Sequence, residues 1–292
     1  MIRSLLFVPG NSPAMLQNAD IHRADALILD LEDAVAAKEK DSARALVKRA
    51  IMALRFGGLP LIIRVNPPGS PYLEDDLSAM VPLAPNYVMP TKVAGAEDIR
   101  KISARIAEIE AAHGMKAGSV GLVPLIESAL GVENAFLIAS SDSRVQGMLL
   151  GAEDLAFDLG APRSKAGQEI LYARGRIVVA ARAAGISAYD TPFTDVNDAA
   201  GLEADALFAR SLGFDGKAAI SPRHVEAINQ AFSPTEAEIR YAREVMAAIQ
   251  KGEEAGLGVV SLHGKMVDKP IVERAQRVLA AALQPGLEGE DE

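Results

Sequence analysis

The chain has 292 residues, 49% of them hydrophobic and 24% charged, which is enough for one large globular domain or two ordinary ones. It contains no Cys and no Trp, so disulfides, thiolate metal sites and cysteine nucleophiles are excluded and base stacking is disfavoured. A net charge of −9 argues against binding a phosphate backbone, and no apolar run reaches the ~18 residues of a membrane span. We predict a cytoplasmic protein that binds neither nucleic acid nor membranes.

Short apolar runs recur along the chain, separated by longer segments with helical periodicity. They lie at residues 4–8, 26–31, 60–65, 87–90, 120–126, 146–151, 186–190 and 217–221. Most are continuously apolar, as parallel strands covered on both faces are. Eight β/α units over about 230 residues match a (β/α)₈ barrel better than a doubly wound sheet. We therefore predict an α/β fold of the TIM-barrel type for residues 1–232.

Several segments between the runs begin with Ser-Pro, where Ser can cap a helix and Pro can occupy its first position. The pair occurs at Ser12-Pro13, Ser221-Pro222 and Ser233-Pro234. Ser233 and Glu236 also match a capping box. Beyond them the pattern predicts a long helix over 234–254, a Gly-containing break and a last helix over 271–283. We predict that residues 233–292 are a C-terminal helical extension and lid, not an independent domain.

Two carboxylates follow neighbouring predicted strands. Glu127 and Asp154 come after the fifth and sixth apolar runs, about one β/α unit apart. Because ligands bind at the carboxyl ends of barrel strands, the two side chains could face each other there. Carboxylates with no adjacent His or Cys suit a hard cation such as Mg²⁺. The pair is the leading metal-site candidate, although acidic strand ends also occur as helix caps or solvated turns.

Other charged residues end the second and third runs. Arg64 offers a planar fork for a substrate carboxylate, or it could be an internal counterion for nearby acids. Asp30, Glu32 and Asp33 could hold metal-bound waters or form a solvated acidic turn. The sequence leaves both interpretations open for Arg64 and both open for the acidic run.

Small residues and one lysine complete the predicted strand ends. Gly151 and Ala152 could leave backbone N–H groups free for an anion, or could serve tight packing. Lys92 could form a Schiff base with a carbonyl substrate, but it follows Met89-Pro90-Thr91, where its charge can reach solvent or a phosphate. The four histidines have no ligand-type spacing, which disfavours a zinc site.

Six motifs occur along the chain in the order of a known family. They are RSLLFVPGN, DLEDAV, RVN, PLIES, GAEDL and GKMVDKP. With these motifs the chain resembles the citrate lyase β-subunit (CitE-like) group, which is related to malyl-CoA lyases. The resemblance covers nearly the whole chain and implies a barrel enzyme that uses Mg²⁺ to cleave or form a C–C bond beside an acyl thioester.

The resemblance also implies roles for individual residues. Glu127 and Asp154 would be the metal ligands, and Arg64 would act in catalysis by binding a carboxylate of the oxo-acid. The segment Gly151, Ala152 and Glu153 would hold the same fragment together with Glu127. Pro9, Gly10 and Asn11 match the segment that lies near the thioester carrier, which is CoA or an acyl-carrier protein.

Asp268 in GKMVDKP matches the catalytic acid/base of the family, which reaches the site from a neighbouring subunit. The alternative from the residues alone is an N-cap of the last helix, because Pro270 follows two positions later. The resemblance implies a homo-oligomer, a trimer or hexamer, with other citrate lyase subunits as further partners.

The activity implied is cleavage of citryl-CoA or citryl-acyl-carrier protein to oxaloacetate and an acetyl thioester. Alternatives within the family are a malyl-CoA or methylmalyl-CoA lyase, a malyl-CoA thioesterase and a malate-synthase-like enzyme. More distant alternatives are a Schiff-base aldolase that uses Lys92 and a noncatalytic carrier-binding subunit that retains the barrel.

Overall fold

The computed structural model describes residues 1–254 and 260–283. The chain divides into two compact units: residues 2–232, and a second unit of Met1 with the chain from Ser233 onward. No helix in the described ranges is both long and apolar enough to cross a membrane.

Residues 2–232, all of them described, form an α/β unit around a curled sheet of nine parallel strands. The strands are β1 Ser4–Pro9, β2 Ala26–Asp30, β3 Leu61–Val65, β4 Tyr87–Pro90, β5 Gly121–Leu122, β6 Leu125–Ile126, β7 Gly147–Leu150, β8 Ser187–Asp190 and β9 Gly216–Ala219. Their order in the sheet is β5-β4-β3-β2-β1-β9-β8-β7-β6. The parallel α/β prediction is confirmed, and strands occupy all the predicted positions.

One predicted strand, over residues 120–126, is two short strands in the structure. β5 pairs with β4, and β6 pairs with β7. Pro124 lies between them and has no N–H to donate to a ladder, which is a local reason for the interruption.

Helices cover the outer face of the sheet. They are α1 Pro13–Gln17, α2 Lys40–Ala53, α3 Leu73–Met80, α4 Ala96–Ala112, α5 Ala129–Glu133, α6 Ala135–Ala139, α7 Ala152–Asp158, α8 Leu171–Ala184, α9 Ala199–Leu212 and α10 Val225–Phe232. Short 3₁₀ turns lie at Asp20–His22, Ala37–Glu39, Phe56–Gly58, Val81–Leu83, Gln168–Ile170 and Pro222–His224.

Successive residues of a strand pack into two different clusters, which explains why the runs are continuously apolar. In β2, Ala26 and Ile28 belong to a cluster on one face of the sheet. Leu27 and Leu29 belong to the larger cluster that the helices cover. With both faces buried, polar side chains are confined to the strand ends, where the candidate site lies.

The second unit contains α11 Glu236–Glu254, an antiparallel hairpin of β10 Val260–Leu262 and β11 Lys265–Val267, and α12 Lys269–Ala282. Both predicted helices are present within two residues of their expected starts. The predicted Gly-containing break includes the hairpin, while residues 255–259 lie outside the described part.

The structure contains a capping box two residues beyond the predicted pair of Ser233 and Glu236. Glu238 N–H donates to Thr235 Oγ1 at 3.2 Å, and Thr235 N–H donates to Glu238 Oε2 at 2.8 Å. Both residue pairs have the same S/T-x-x-E spacing, so the sequence pattern could not choose between them.

Candidate active site

Strand ends of the first unit surround a cavity of roughly 350 Å³. Of the predicted site residues, seven line it: Pro9, Arg64, Glu127, Gly151, Ala152, Glu153 and Asp154. Apolar side chains form much of the remaining wall, including Phe7, Leu125 and Leu149. The topology thus brings together most of the residues that the sequence placed at strand ends.

Glu127 is the buried carboxylate of the cavity, with 5% of the residue exposed. The backbone N–H of Lys92 donates to its Oε1 at 2.7 Å. Burial raises the pKa of Glu127, and the nearby charges of Asp154 and Glu32 add to burial against the Lys92 hydrogen bond, so the pKa reaches about 8. The nearby positive charge is therefore too small to stabilise the ionised form of Glu127.

Asp154 lies at the more open side, with 43% of its side chain exposed and its Oδ2 3.5 Å from Lys92 Nζ. Within residues 1–254 and 260–283, no three or more Asp, Glu or His side chains are grouped to hold a metal ion. Mg²⁺ in enzymes is commonly held by one or two carboxylates and completed by water and substrate oxygens. The donor chemistry of Glu127 and Asp154, and the unmet charge of Glu127, therefore fit Mg²⁺.

Arg64 is the second-last residue of β3 and is held by acids at and just after the end of β2. Its Nε and Nη2 donate to the two carboxylate oxygens of Asp30 at 2.8 and 2.5 Å. Its Nη1 lies 3.4 Å from Glu32 and 3.5 Å from Asp33. Burial lowers the pKa of Arg64, but the bonds to Asp30 and the charges around it outweigh burial and raise the pKa, so the guanidinium stays charged.

The counterion interpretation of Arg64 therefore holds in this structure. One edge of the guanidinium is committed to Asp30, while the residue still lines the cavity, where its charge is available to an anion. Its guanidinium carbon lies 4.9 Å from the centre of the Phe7 ring, a stacking contact that helps to fix the fork.

The acidic run after β2 is not a solvated turn as a whole. Asp30 and Glu32 are buried, whereas the side chain of Asp33 is 54% exposed. Asp30 also accepts the N–H of Glu32 at 2.8 Å and so closes the turn. Lys40 Nζ donates to the carbonyl of Glu32 at 2.7 Å, which ties the same turn to α2.

The backbone at the start of α7 is already hydrogen-bonded. Gly151 N–H donates to Ile126 O at 2.9 Å, and Ala152 N–H donates to Thr191 Oγ1 at 3.2 Å. These N–H groups are thus not free for an anion in this structure. Gly151 instead allows tight packing, because a Cβ there would lie 2.7 Å from the Glu127 side chain. Glu153 is directed to Arg163, whose Nε donates to Glu153 Oε1 at 3.1 Å.

The segment after β1 turns sharply beside the cavity. Gly10 N–H donates to Asp30 O at 2.8 Å, and a Cβ at Gly10 would lie 2.4 Å from that oxygen, so only glycine fits. Pro9 lines the cavity. Asn11 is exposed and its side chain donates to Glu39 Oε2 at 2.8 Å.

Lys92 does not have the environment of a Schiff-base lysine. Its Nζ donates to Glu32 Oε1 at 3.1 Å. Burial lowers the pKa of the ammonium, but Glu32, Asp33 and Asp154 outweigh burial and raise it. A nucleophilic amine requires the opposite shift, so the structure argues against the aldolase alternative.

Asp268 lies in the second unit, where it is the N-cap of α12. Its Oδ1 accepts the N–H of Ile271 at 3.3 Å, and Pro occupies the first turn. The capping alternative is therefore confirmed, and it does not conflict with a second role, because the side chain is exposed.

A buried ion cluster beside the cavity was missed by the sequence analysis. Lys217 Nζ donates to Asp190 Oδ2 and Thr191 O, both at 2.6 Å, and lies 2.6 Å from Asp205. Arg174 donates to Asp190 and Asp205. The signal available was Asp190 itself, an acid at the end of the seventh apolar run, just as Asp30 is an acid near the end of the second.

Comparison with known proteins gives consistent matches. The model of the HpcH/HpaI aldolase/citrate lyase family matches residues 3–222. The chain is 44% identical over 280 residues to the citrate lyase subunit beta of Leuconostoc mesenteroides subsp. cremoris, which covers 96% of this chain and 93% of that protein. It is 43% identical over 288 residues to the citrate lyase subunit beta of Escherichia coli strain K12, with coverages of 99% and 95%.

A solved structure is also similar. The protein CitE from Mycobacterium tuberculosis, in complex with magnesium, acetoacetate and coenzyme A, superposes with a TM-score of 0.79. The two chains are 29% identical, and the match covers 96% of this chain and 97% of that chain.

Proposed function

The chain belongs to the HpcH/HpaI aldolase/citrate lyase family, and we propose that it is a Mg²⁺-dependent carbon–carbon lyase that cleaves a citryl thioester to oxaloacetate and an acetyl thioester. Family membership confirms the resemblance carried by the six sequence motifs. The observation that carries the activity is the shared cavity of Glu127, Asp154 and Arg64.

Each of these residues has a role in the proposed reaction. Glu127 and Asp154 would hold Mg²⁺, which supplies Lewis-acid chemistry by withdrawing electron density from substrate oxygens. Arg64 would bind a carboxylate of the oxo-acid half, because its fixed charge attracts the anion while Asp30 keeps it oriented. Gly151, Ala152 and Glu153 also line the cavity and would contact the same half, although the N–H groups of Gly151 and Ala152 already donate to Ile126 and Thr191.

The acetyl half requires a proton after C–C cleavage. We propose that Asp268 donates it in cleavage and removes it in condensation, acting from a neighbouring subunit of a homotrimer or hexamer. Residues 233–292 would then be a lid over the site. The exposed carboxylate of Asp268 and its place in the motif GKMVDKP support this proposal.

The finer description of the fold is part of the same proposal. If β5 and β6 are counted as one strand interrupted at Pro124, the sheet has eight strand positions in chain order. The pairing of β9 with β1 supports a (β/α)₈ barrel over residues 1–232.

The thioester carrier would be CoA or an acyl-carrier protein, near Pro9, Gly10 and Asn11. The names of the relatives, subunit beta of citrate lyase, support assembly with other subunits. Cytoplasmic localisation remains a prediction.

A substrate panel tests the function. Purified protein is mixed with citryl-CoA, malyl-CoA or methylmalyl-CoA, with Mg²⁺ or with EDTA, and oxo-acid and free thiol are measured separately. We expect oxo-acid from citryl-CoA only when Mg²⁺ is present, and loss of that signal in Glu127→Gln and in Asp154→Asn. Thiol without oxo-acid would instead identify a thioesterase, and near-normal turnover in both variants would refute the metal site.

A further inference from the structure

Lys92 contacts carboxylates that follow three different strands. Its backbone N–H donates a hydrogen bond of 2.7 Å to Glu127, which follows β6. Its Nζ donates a hydrogen bond of 3.1 Å to Glu32, which follows β2. The same Nζ lies 3.5 Å from Oδ2 of Asp154, which lies beyond β7. One residue thus joins both proposed metal ligands to the acidic turn.

The backbone of Lys92 is held in an unusual conformation to make these contacts. Its φ is +53°, in the left-handed region that costs a non-glycine residue roughly 1 kcal/mol or more. Thr91, the preceding residue, is fully buried and its hydroxyl donates to Val65 O at 3.2 Å, which anchors the turn. The strain persists because the N–H of Lys92 points at Glu127.

The charges explain what the side chain does there. Glu32, Glu127 and Asp154 raise one another's negative potential, and Arg64 is already bonded to Asp30 through two nitrogens. The Lys92 ammonium lies 3.5 Å from Asp154 Oδ2. A divalent cation held by Glu127 and Asp154 would lie close to the ammonium that contacts Asp154, and two cations at short distance repel each other.

We infer that the Lys92 ammonium is an internal counterion that takes the electrostatic place of the divalent cation in the metal-free protein, and that Mg²⁺ displaces it from Asp154. The inference rests on the proposed function, because that proposal assigns Glu127 and Asp154 as ligands. Displacement leaves Glu32 as the remaining partner of Lys92. The lysine therefore weakens metal binding while it stabilises the empty site.

Mg²⁺ titration by calorimetry on EDTA-treated protein tests the inference. We expect Lys92→Met and Lys92→Gln, which both remove the positive charge, to bind Mg²⁺ at least fivefold more tightly than the wild type. Lys92→Arg keeps the charge and should behave as the wild type. Lys101→Met removes a lysine whose side chain is 74% exposed on α4, and should also leave the affinity unchanged. Unchanged or weaker binding in Lys92→Met overturns the inference.

Melting temperature gives a second readout that is independent of turnover. In EDTA, Lys92→Met should melt lower than Lys92→Arg, because Glu32 and Asp154 lose the ammonium that lies beside them. In saturating Mg²⁺ the difference should disappear, since tighter ligand binding stabilises the folded state. Equal melting temperatures in EDTA contradict the inference.

Repeating the titration at high salt distinguishes a direct effect of the Lys92 ammonium from a long-range electrostatic effect. The affinity gain of Lys92→Met should persist in about 0.5 M NaCl, because close, partly buried pairs are screened much less than distant exposed charges. A gain that vanishes in salt contradicts displacement. If the wild type binds no Mg²⁺ at all, the proposed function fails too, whereas equal binding by wild type and Lys92→Met removes only this inference.

Discussion

Gly151 lies directly against the side chain of Glu127. A Cβ at Gly151 would be 2.7 Å from both the Cβ and Oε2 of Glu127, which is closer than non-bonded atoms approach a Cβ in folded proteins. The backbone that begins α7 thus forms one wall of the place where the buried carboxylate lies, and it is held there by the bond from Gly151 N–H to Ile126 O.

Gly151→Ala should displace Glu127 and lower kcat/KM for the citryl thioester by about tenfold or more, or ~1.4 kcal/mol of transition-state stabilisation. Steady-state kinetics at saturating Mg²⁺ measures the loss. Gly175→Ala is the matched control, because nothing lies within 4 Å of its would-be Cβ in α8. That control should keep full activity and gain roughly 0.5–1 kcal/mol of stability. Equal activity in the two variants would contradict the prediction.

Arg64→Lys should raise KM for the oxo-acid in the condensation direction by roughly tenfold or more, because lysine cannot make the two-nitrogen bond to Asp30 that orients the charge. The measurement is initial rate against oxaloacetate concentration. Arg100→Lys, at an exposed position on α4, is the control. An unchanged KM in Arg64→Lys would show that the fork does not bind the carboxylate.

Asp268→Asn and Asp268→Ala separate capping from catalysis. Asn is as good an N-cap as Asp, so Asp268→Asn should melt as the wild type, whereas Asp268→Ala should lose about 1 kcal/mol of stability. Both should suppress exchange of acetyl protons with deuterated water, followed by NMR, while Mg²⁺ binding is retained. Normal exchange in the stable Asn variant would refute the acid/base role.

Acid stability should depend on Glu110. Burial raises its pKa, but hydrogen bonds from Arg144 and from the N–H groups of Val120 and Gly118 outweigh burial, and the pKa falls to about 2 from 4.5. A lowered pKa stabilises the folded state above the unfolded value, so this contribution is complete above pH 4.5 and is lost as pH falls towards 2.

Glu110→Gln should remove that dependence, which is on the order of 2 kcal/mol between pH 7 and pH 3 for pKa values of 4.5 and about 2. Urea unfolding between pH 3 and 7 measures it as a flatter stability curve than that of the wild type. Glu108→Gln changes an exposed carboxylate on the same helix and should leave the curve as it is. Parallel curves for Glu110→Gln and the wild type would contradict the prediction.

The sequence by itself determined the positions of the strands and the acids and arginine at their ends. Continuous apolar runs such as residues 26–30 are local signals, because a strand buried on both faces has no room for polar side chains. Parallel topology then carries Glu127, Asp154 and Arg64 to one edge. The S/T-x-x-E pattern, in contrast, fits two overlapping starts of α11, and only the structure distinguishes them.

Tertiary structure decided which charges meet. Lys92 forms hydrogen bonds with Glu127, 35 positions away, and with Glu32, 60 positions away. These contacts therefore depend on the register of the strands in the sheet. The same register buries Lys217 against Asp190 and gives the N–H of Ala152 to Thr191. Local patterns specify which residue types end each strand, but hydrogen bonds across strands depend on the distance between atoms that only the folded sheet brings together.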